Sequence, residues 1–194
     1  MREPKMKMKC VAAAGLAVVS TGCMTDGAGR GSAATAATEH SRAQLIGADG
    51  RSRGTVRIIQ VHGGVSVSVE AENLPPGVHG AHVHAVGRCD RPTFATAGPH
   101  WNPTGRQHGR ANPAGAHMGD MPNIAVGADG RGTLEYEIRG AWAVRGATPM
   151  LDADGAAFVI HAKADDDRTD PSGNSGDRIA CAVLRYPPIS SRPG

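Results

Sequence analysis

Residues 65–70, VSVSVE, switch between apolar and polar at every step. Side chains of an extended chain point to opposite faces in turn. The run therefore fits a strand with one face buried and one wet, and fits no helix. Similar signals recur along the chain. GTVRIIQ (54–60) is strand-like and is joined to VSVSVE through HGG, a turn candidate. NIAVGADGRGTLEYEI (123–138) reads as two strand runs around an ADG turn, and AAFVIHA (156–162) and RIACAVL (178–184) are further short apolar runs. Strong helical periodicity is absent. The 27 glycines and 13 prolines supply turns, and with 3% aromatic residues the core must rest on Val, Ile, Leu and Ala. The pattern predicts one all-β domain, a sandwich or barrel. Two long segments, 87–122 and 162–177, carry no strand pattern. Ordered loops of that length are uncommon unless functional.

The N-terminus reads as an address. MREPKMKMKCVAAAGLAVVSTGC starts with lysines, continues through an apolar run at Val11–Val19 and ends in small residues. That is the shape of an export signal, with an apolar run too short to span a bilayer as a stable helix; a short buried helix is the alternative. VVSTGC resembles the processing box of bacterial lipoproteins, in which cleavage precedes a cysteine, here Cys23, that is then lipidated. Ser20 departs from the commoner Leu, and simple secretion is the alternative. The expected organisation is a signal peptide at 1–22, a lipidated Cys23 opening a flexible tether to residue 40, a folded domain at 41–187 and a C-terminal tail at 188–194. The expected location is the cell envelope or periplasm, with a membrane held through the lipid. Removing Arg2, Lys5, Lys7, Lys9 and Glu3 from 21 basic and 18 acidic residues leaves 17 of each. A near-neutral body argues against a nucleic-acid partner.

Cys10 and Cys23 belong to the leader, so the body keeps Cys89 and Cys181. In an exported chain such a pair is most simply a disulfide, with two free thiols as the alternative. Seven of the nine histidines fall between His79 and His161. In GVHGAHVHAVGRC (77–89), His82 and His84 are two apart on a strand and share a face. Their Cβ atoms would lie about 7 Å apart, close enough for two imidazoles to converge on one ion. A surface pair is the bland alternative. The following segment holds His100, His108, His117 and Asp120. Three imidazoles and a carboxylate make a closed tetrahedral zinc set, the mark of a structural ion; scattered loop histidines are the alternative. VIHAKADD places His161 at a strand end, followed by Asp165.

Taken together, GVHGAHVHAVGRC, AGPHWNP, HMGD, VIHAKADD and GNSGDRIAC resemble the signature segments of the copper–zinc superoxide dismutase family, in the family's order over residues 43–186. The resemblance implies a Greek-key β-sandwich or barrel, Ig-like in architecture, with two long functional loops. It implies that His82, His84, His100 and His161 hold copper and that His100, His108, His117 and Asp120 hold zinc, His100 bridging the two. Asp165 matches a carboxylate hydrogen-bonded to a ligand of each metal, and His79 a histidine that packs near copper without binding it. Cys89 and Cys181 match the family disulfide, and Arg178 the arginine that guides the anion. The implied activity is dismutation of superoxide to oxygen and hydrogen peroxide, copper changing oxidation state and His100 taking a proton as its bridge opens. Ala81 and Ala85 depart from the family, and the many acids of 163–177 leave steering by loop charges in doubt apart from Arg178. A copper carrier or metal buffer on the same fold is the rival reading, but it needs neither a zinc bridge nor an anion-guiding arginine. A homodimer is compatible with the family, and no interface stripe is legible. His40 and His62 receive no role.

Overall fold

A computed structural model of the chain describes residues 38–147 and 149–186. The leader, Cys23, most of the tether and the 188–194 tail lie outside the described residues. The strands are β1 (Thr38–Gly47), β2 (Ser52–Val61), β3 (Gly64–Ala71), β4 (Gly77–His79), β5 (Ala81–His84), β6 (Ile124–Val126), β7 (Gly132–Arg139), β8 (Ala156–His161) and β9 (Arg178–Leu184). The runs read as strands in the sequence are strands, β9 to the residue.

The pairing follows the hydrophobic pattern. β2 and β3 form a hairpin closed at Val61↔Gly64, and β3 then pairs with β7 (Val65↔Ile138, Val67↔Tyr136, Val69↔Leu134). Val65, Val67 and Val69 are buried, while Ser66 and Ser68 are half-buried and Glu70 is exposed. A one-residue slip would turn the valines outward, so burial sets the register. β1 was not legible as a strand. Its segment is polar, with Leu45 its one fully buried hydrophobe. Partners hold it instead. It pairs with β2 from Thr38↔Gln60 onward and meets β9 at Ile46↔Cys181, and Arg57 bonds Glu39 at 2.9 Å. β1 begins three residues inside the segment read as tether.

Seven strands form one antiparallel sheet in the order β5-β8-β9-β1-β2-β3-β7, and β4 pairs with β6. β3 lies beside β7 rather than β4, a Greek-key step. β4 and β5 are one run broken at Gly80, whose N–H donates to Lys163 O (2.8 Å) and whose carbonyl accepts from His161 N (2.9 Å). That run ties the small ribbon to the sheet, and β6 packs beside β7. Val83 at one sheet edge and Leu134 at the other share one core with Ile58, Ile124, Phe158 and Leu184. A flat sheet cannot bring its two edges to one core, so the sheet is curled into a barrel. Fully burying each such side chain contributes about 1.5–3 kcal/mol. Ala141, Ala143, Met150 and Leu151, from a connection that carried no sequence signal, close one part of that core.

The opposite face of β8 and β9 is also covered. Ala157, Val159 and Cys181 pack against Phe94 and Ala97 of the loop after β5. The Cys89–Cys181 disulfide fastens that loop to β9, with Cα atoms 5.8 Å apart.

Candidate metal centre

Strand parity assembles the first half of the site. His82 pairs with Val159 and His84 with Ala157, so these four share the face away from the core. His161, two residues beyond Val159, has the same parity. Val83, Phe158 and Ile160 point inward between them. The loop after β5 then folds back along that strand. Trp101 N donates to Val83 O (2.8 Å), Val83 N to Gly119 O (2.9 Å) and Ala85 N to Pro99 O (2.9 Å). These bonds set His100 beside His84 and Asp120 beside His82 as isolated bridges. The strand histidines that a half-exposed strand would show to water are fully buried under this loop.

Four ring nitrogens now converge without partners: His82 Nδ1, His84 Nε2, His100 Nε2 and His161 Nε2. One ligand atom from each of these residues lies within 4.8 Å of the others. The second nitrogen of each ring is engaged. His82 Nε2 meets Asp165 Oδ2 at 2.6 Å, His84 Nδ1 donates to Gly98 O at 2.9 Å, and His161 Nδ1 donates to Gly176 O at 3.1 Å. Tethering one nitrogen turns the lone pair of the other inward. Four buried, unpaired nitrogens aimed at one point leave a cost that a transition-metal cation removes.

His100 Nδ1 belongs to a second group. Asp120 Oδ1 lies 2.9 Å from it, 3.0 Å from His108 Nδ1 and 3.2 Å from His117 Nδ1, and the His100 and His117 nitrogens are 3.4 Å apart. One carboxylate oxygen cannot accept well from three crowded imidazoles. Ligands about 2.0–2.1 Å from a tetrahedral zinc, however, sit about 3.3 Å from one another. Four separations among these atoms, 2.9–3.4 Å, lie close to such an edge, so Asp120 and the three rings are placed to share a cation, while the donors that all lie within 4.8 Å of one another here are His82, His100, His108 and Asp120. The other Asp120 oxygen accepts from the amides of Gly109 (2.9 Å) and His117 (3.0 Å), which fixes the carboxylate. His82 also approaches this group, but Asp165 occupies its Nε2 and its Nδ1 faces the four-nitrogen group.

Asp165 joins the two groups, since it also meets His108 Nε2 at 3.0 Å. Sequence reasoning missed what holds Asp165. Asn123 takes both its backbone groups, Nδ2 donating to Asp165 O (2.9 Å) and Oδ1 accepting from Asp165 N (2.8 Å). An Asn beside Pro122 carries no local signal of that task. His79 is buried with Nδ1 2.8 Å from His161 O and Nε2 2.9 Å from Pro75 O, so neither nitrogen is offered to an ion. His62 is exposed in the β2–β3 turn, and the His40 ring lies 5.7 Å from Tyr186.

Burial depresses the imidazoles, holding His84 well below its ordinary value, His100 at about 4 and His161 at about 3. Neutral rings offer lone pairs, as ligation requires. Burial acts on His108 in the same direction but is outweighed by Asp120 and Asp165, which raise it to about 10; a cation in the second group takes the place of the Nδ1 proton. The histidine bonds hold Asp120 and Asp165 below the usual carboxylate range despite burial.

A cavity of about 730 Å³ opens onto the first group through His84, His100 and His161 and is also lined by Arg178. The Arg178 guanidinium is fixed by donation to Phe94 O and Gly98 O, both at 2.7 Å. Gly98 O thus serves Arg178 and His84 together.

Residues 52–184 match the family model described as copper/zinc superoxide dismutase. The chain is 39% identical over 149 residues to Cu-Zn superoxide dismutase 1 of Aquifex aeolicus, covering 75% of this chain and 87% of the relative. It is 39% identical over 143 residues to the Cu-Zn superoxide dismutase of Caulobacter vibrioides, covering 71% and 80%. The crystal structure of a SOD-like protein from Bacillus subtilis superposes with a TM-score of 0.72 at 39% identity, covering 76% of this chain and 99% of that one.

Proposed function

This chain belongs to the copper/zinc superoxide dismutase family, and we infer that it is an enzyme converting superoxide to oxygen and hydrogen peroxide with copper and zinc. The observation that carries the reading is the pair of donor groups sharing His100. We assign His82, His84, His100 and His161 to copper, and His100, His108, His117 and Asp120 to zinc. When bound, copper supplies one-electron exchange, and zinc supplies charge and geometry. Two superoxide ions and two protons yield one oxygen and one peroxide, so the site must admit a small anion twice and deliver protons.

The residues divide that work. Arg178 presents a fixed positive charge in the cavity, where it binds and orients the incoming anion. His100 lines the same cavity, and its Nε2 is the atom suited to hold a proton for the reduced product while Nδ1 stays with Asp120. Asp165 and Asn123 keep the His82 and His108 rings in place. A copper carrier would need neither the shared His100 nor Arg178.

The test loads the chain after its leader with both metals and follows superoxide disappearance beside metal content. Dismutation with one copper and one zinc per chain is expected. Stoichiometric metal without dismutation would sink the enzyme reading. Arg178→Ala should keep both metals, turn over more slowly and depend less on salt; unchanged kinetics would refute the guiding role.

The chain is further assigned to the cell envelope, held to a membrane by a lipid on Cys23. The residue pattern of 1–23 supports this, and a structural disulfide suits an oxidising compartment. Cys23→Ser should abolish incorporation of labelled lipid; persistent labelling would move the anchor elsewhere.

A further inference from the structure

Two large apolar side chains stand exposed at one end of the barrel. Trp142 is 53% exposed and Tyr186 46%; the third exposed large hydrophobe among the described residues is Val78 on β4. Pairing and hydrogen bonds place both at the same end. The loop carrying Trp142 leaves β7 with Gly140 N donating to Gly63 O in the β2–β3 turn and Ala143 N to Gln60 Oε1, both at 2.8 Å. Gln60 pairs with Thr38 at the start of β1. Tyr186 follows β9, and its ring lies 5.7 Å from that of His40, two residues into β1. The indole is held in place. Met150 N donates to Trp142 O at 2.8 Å, and a Cβ on Gly146 would lie 3.0 Å from Trp142 Cδ1, so the backbone packs against the ring. A fixed, exposed Trp with a Tyr at the same end suits the headgroup layer of a bilayer, where an amphipathic ring is at home.

The chain arrives at this same end. Fourteen residues, 24–37, separate Cys23 from Thr38. Fifteen steps span at most about 50 Å. A lipid on Cys23 would therefore keep the domain near the surface at an effective concentration in the millimolar range, which is about 10⁻³ M. A contact too weak to hold a free domain is populated under that condition. The face at which the chain enters also reaches the surface with the least stretching of the link. Charge adds little. Arg139, Arg145 and Arg185 are exposed at this end without an ion pair among the described residues, but Asp152 and Asp154 oppose them, and Glu39 is paired with Arg57.

We propose that the Trp142–Tyr186 end of the barrel docks on the phospholipid headgroup layer when the chain is anchored. The proposal rests on the reading of Cys23 as a lipid anchor. It also fixes which way the site faces. Arg178 opens β9 and Tyr186 lies beyond its far end. The two are about 26 Å apart along the strand, or about 20 Å in height at the usual tilt of a barrel strand. The Arg178 side of the cavity then stands roughly two Debye lengths above the headgroups at physiological salt, where their charge is largely screened from an arriving anion.

The test imposes the anchor chemically, so its outcome does not depend on whether the cell lipidates Cys23. The metal-loaded chain 23–194 has one cysteine, Cys23, outside the Cys89–Cys181 bond. That thiol is coupled to a maleimide phospholipid in phosphatidylcholine vesicles whose acyl chains carry bromine just below the headgroups. Bromine quenches an indole only at close range. Trp142 emission, read as the difference between wild type and Trp142→Phe, should fall, while Trp101, 7% exposed, should keep its emission. Tyr186→Ala should weaken the quenching of Trp142. Adding anionic lipid should strengthen it no more than about fivefold, the effect of one net charge near the surface. An unquenched Trp142 would overturn the proposal, as would quenching that Tyr186→Ala leaves unchanged. So would a lipid-free dimer that Trp142→Ala dissociates, since this end would then face a second copy. Absence of lipid label on Cys23 in the cell, with Trp142 quenched in the coupled chain, would remove the anchor reading and leave the docking face standing.

Discussion

His161 shows what one residue does here and what it does not do. It offers Nε2 to the four-nitrogen group and no atom to the cluster around Asp120. His161→Ala should therefore lose copper affinity by more than the roughly 10–100-fold that disturbing an outer partner costs, while zinc is retained. Metal analysis after dialysis against a graded chelator reads this; loss of zinc alone would contradict the assignment. Gly173 is constrained in another way. Its φ is +61°, and a Cβ there would lie 1.8 Å from Asp165 Oδ1 and 2.8 Å from His108 Nε2. Gly173→Ala must push apart the residues that join the two groups, and should cost more than about 2 kcal/mol. Gly63→Ala is the control: φ is +89° with nothing within 4 Å, so it should cost only the roughly 1–2 kcal/mol of left-handed strain. Equal melting temperatures for the two variants would refute the difference. At this scale the candidate donors were legible, because imidazole spacing is written in the chain. Asn123 and the carbonyls of Gly98 and Gly176 were not, because an amide or carbonyl looks the same in sequence whatever it holds.

At the scale of elements, strict alternation marked β3, which has one buried face, while strand-like or short apolar runs marked β2, β6, β7, β8 and β9; β8 is buried at every position and so does not alternate. β1 escaped because neighbours on both sides hold a polar segment in place, and the break at Gly80 escaped because it depends on Lys163 and His161 docking there. The loop from β5 to β6 is the element on which the site depends most. The Cys89–Cys181 bond crosses 92 residues of sequence and anchors the stretch whose Gly98 carbonyl holds both His84 and Arg178. Replacing both cysteines by alanine should remove about 4–5 kcal/mol in the chain-entropy model. It should also weaken copper retention more than zinc. Denaturant titration with metal analysis measures both effects; an unchanged unfolding midpoint would show that the loop is held without the bond.

For the whole molecule, the buried imidazoles tie stability to pH. In the metal-free chain His100 sits at about 4 and His161 at about 3, with His84 lowered in the same direction, against 6.5 in an unfolded chain. The stability these three carry is present above pH 6.5 and lost as pH falls toward their folded values, because the unfolded chain takes protons first. His108, raised to about 10, works in reverse: its contribution is complete below 6.5 and lost as pH rises through 10. The metal-free chain should be most stable near pH 6.5, with its urea midpoint falling on both sides. A midpoint flat from about pH 4.5 to 9 would refute this. Bound metals should flatten the acid side until protons displace them. The sequence by itself determined strand periodicity, the inventory of donors and the order of motifs, because each is a local property of spacing and side-chain chemistry. Tertiary structure alone decided that both faces of β5 are covered and that Asp166, Asp167 and Asp170 of the last loop serve as braces. Those facts depend on which distant segments meet when the sheet curls and the loops fold back, and no local spacing encodes such meetings.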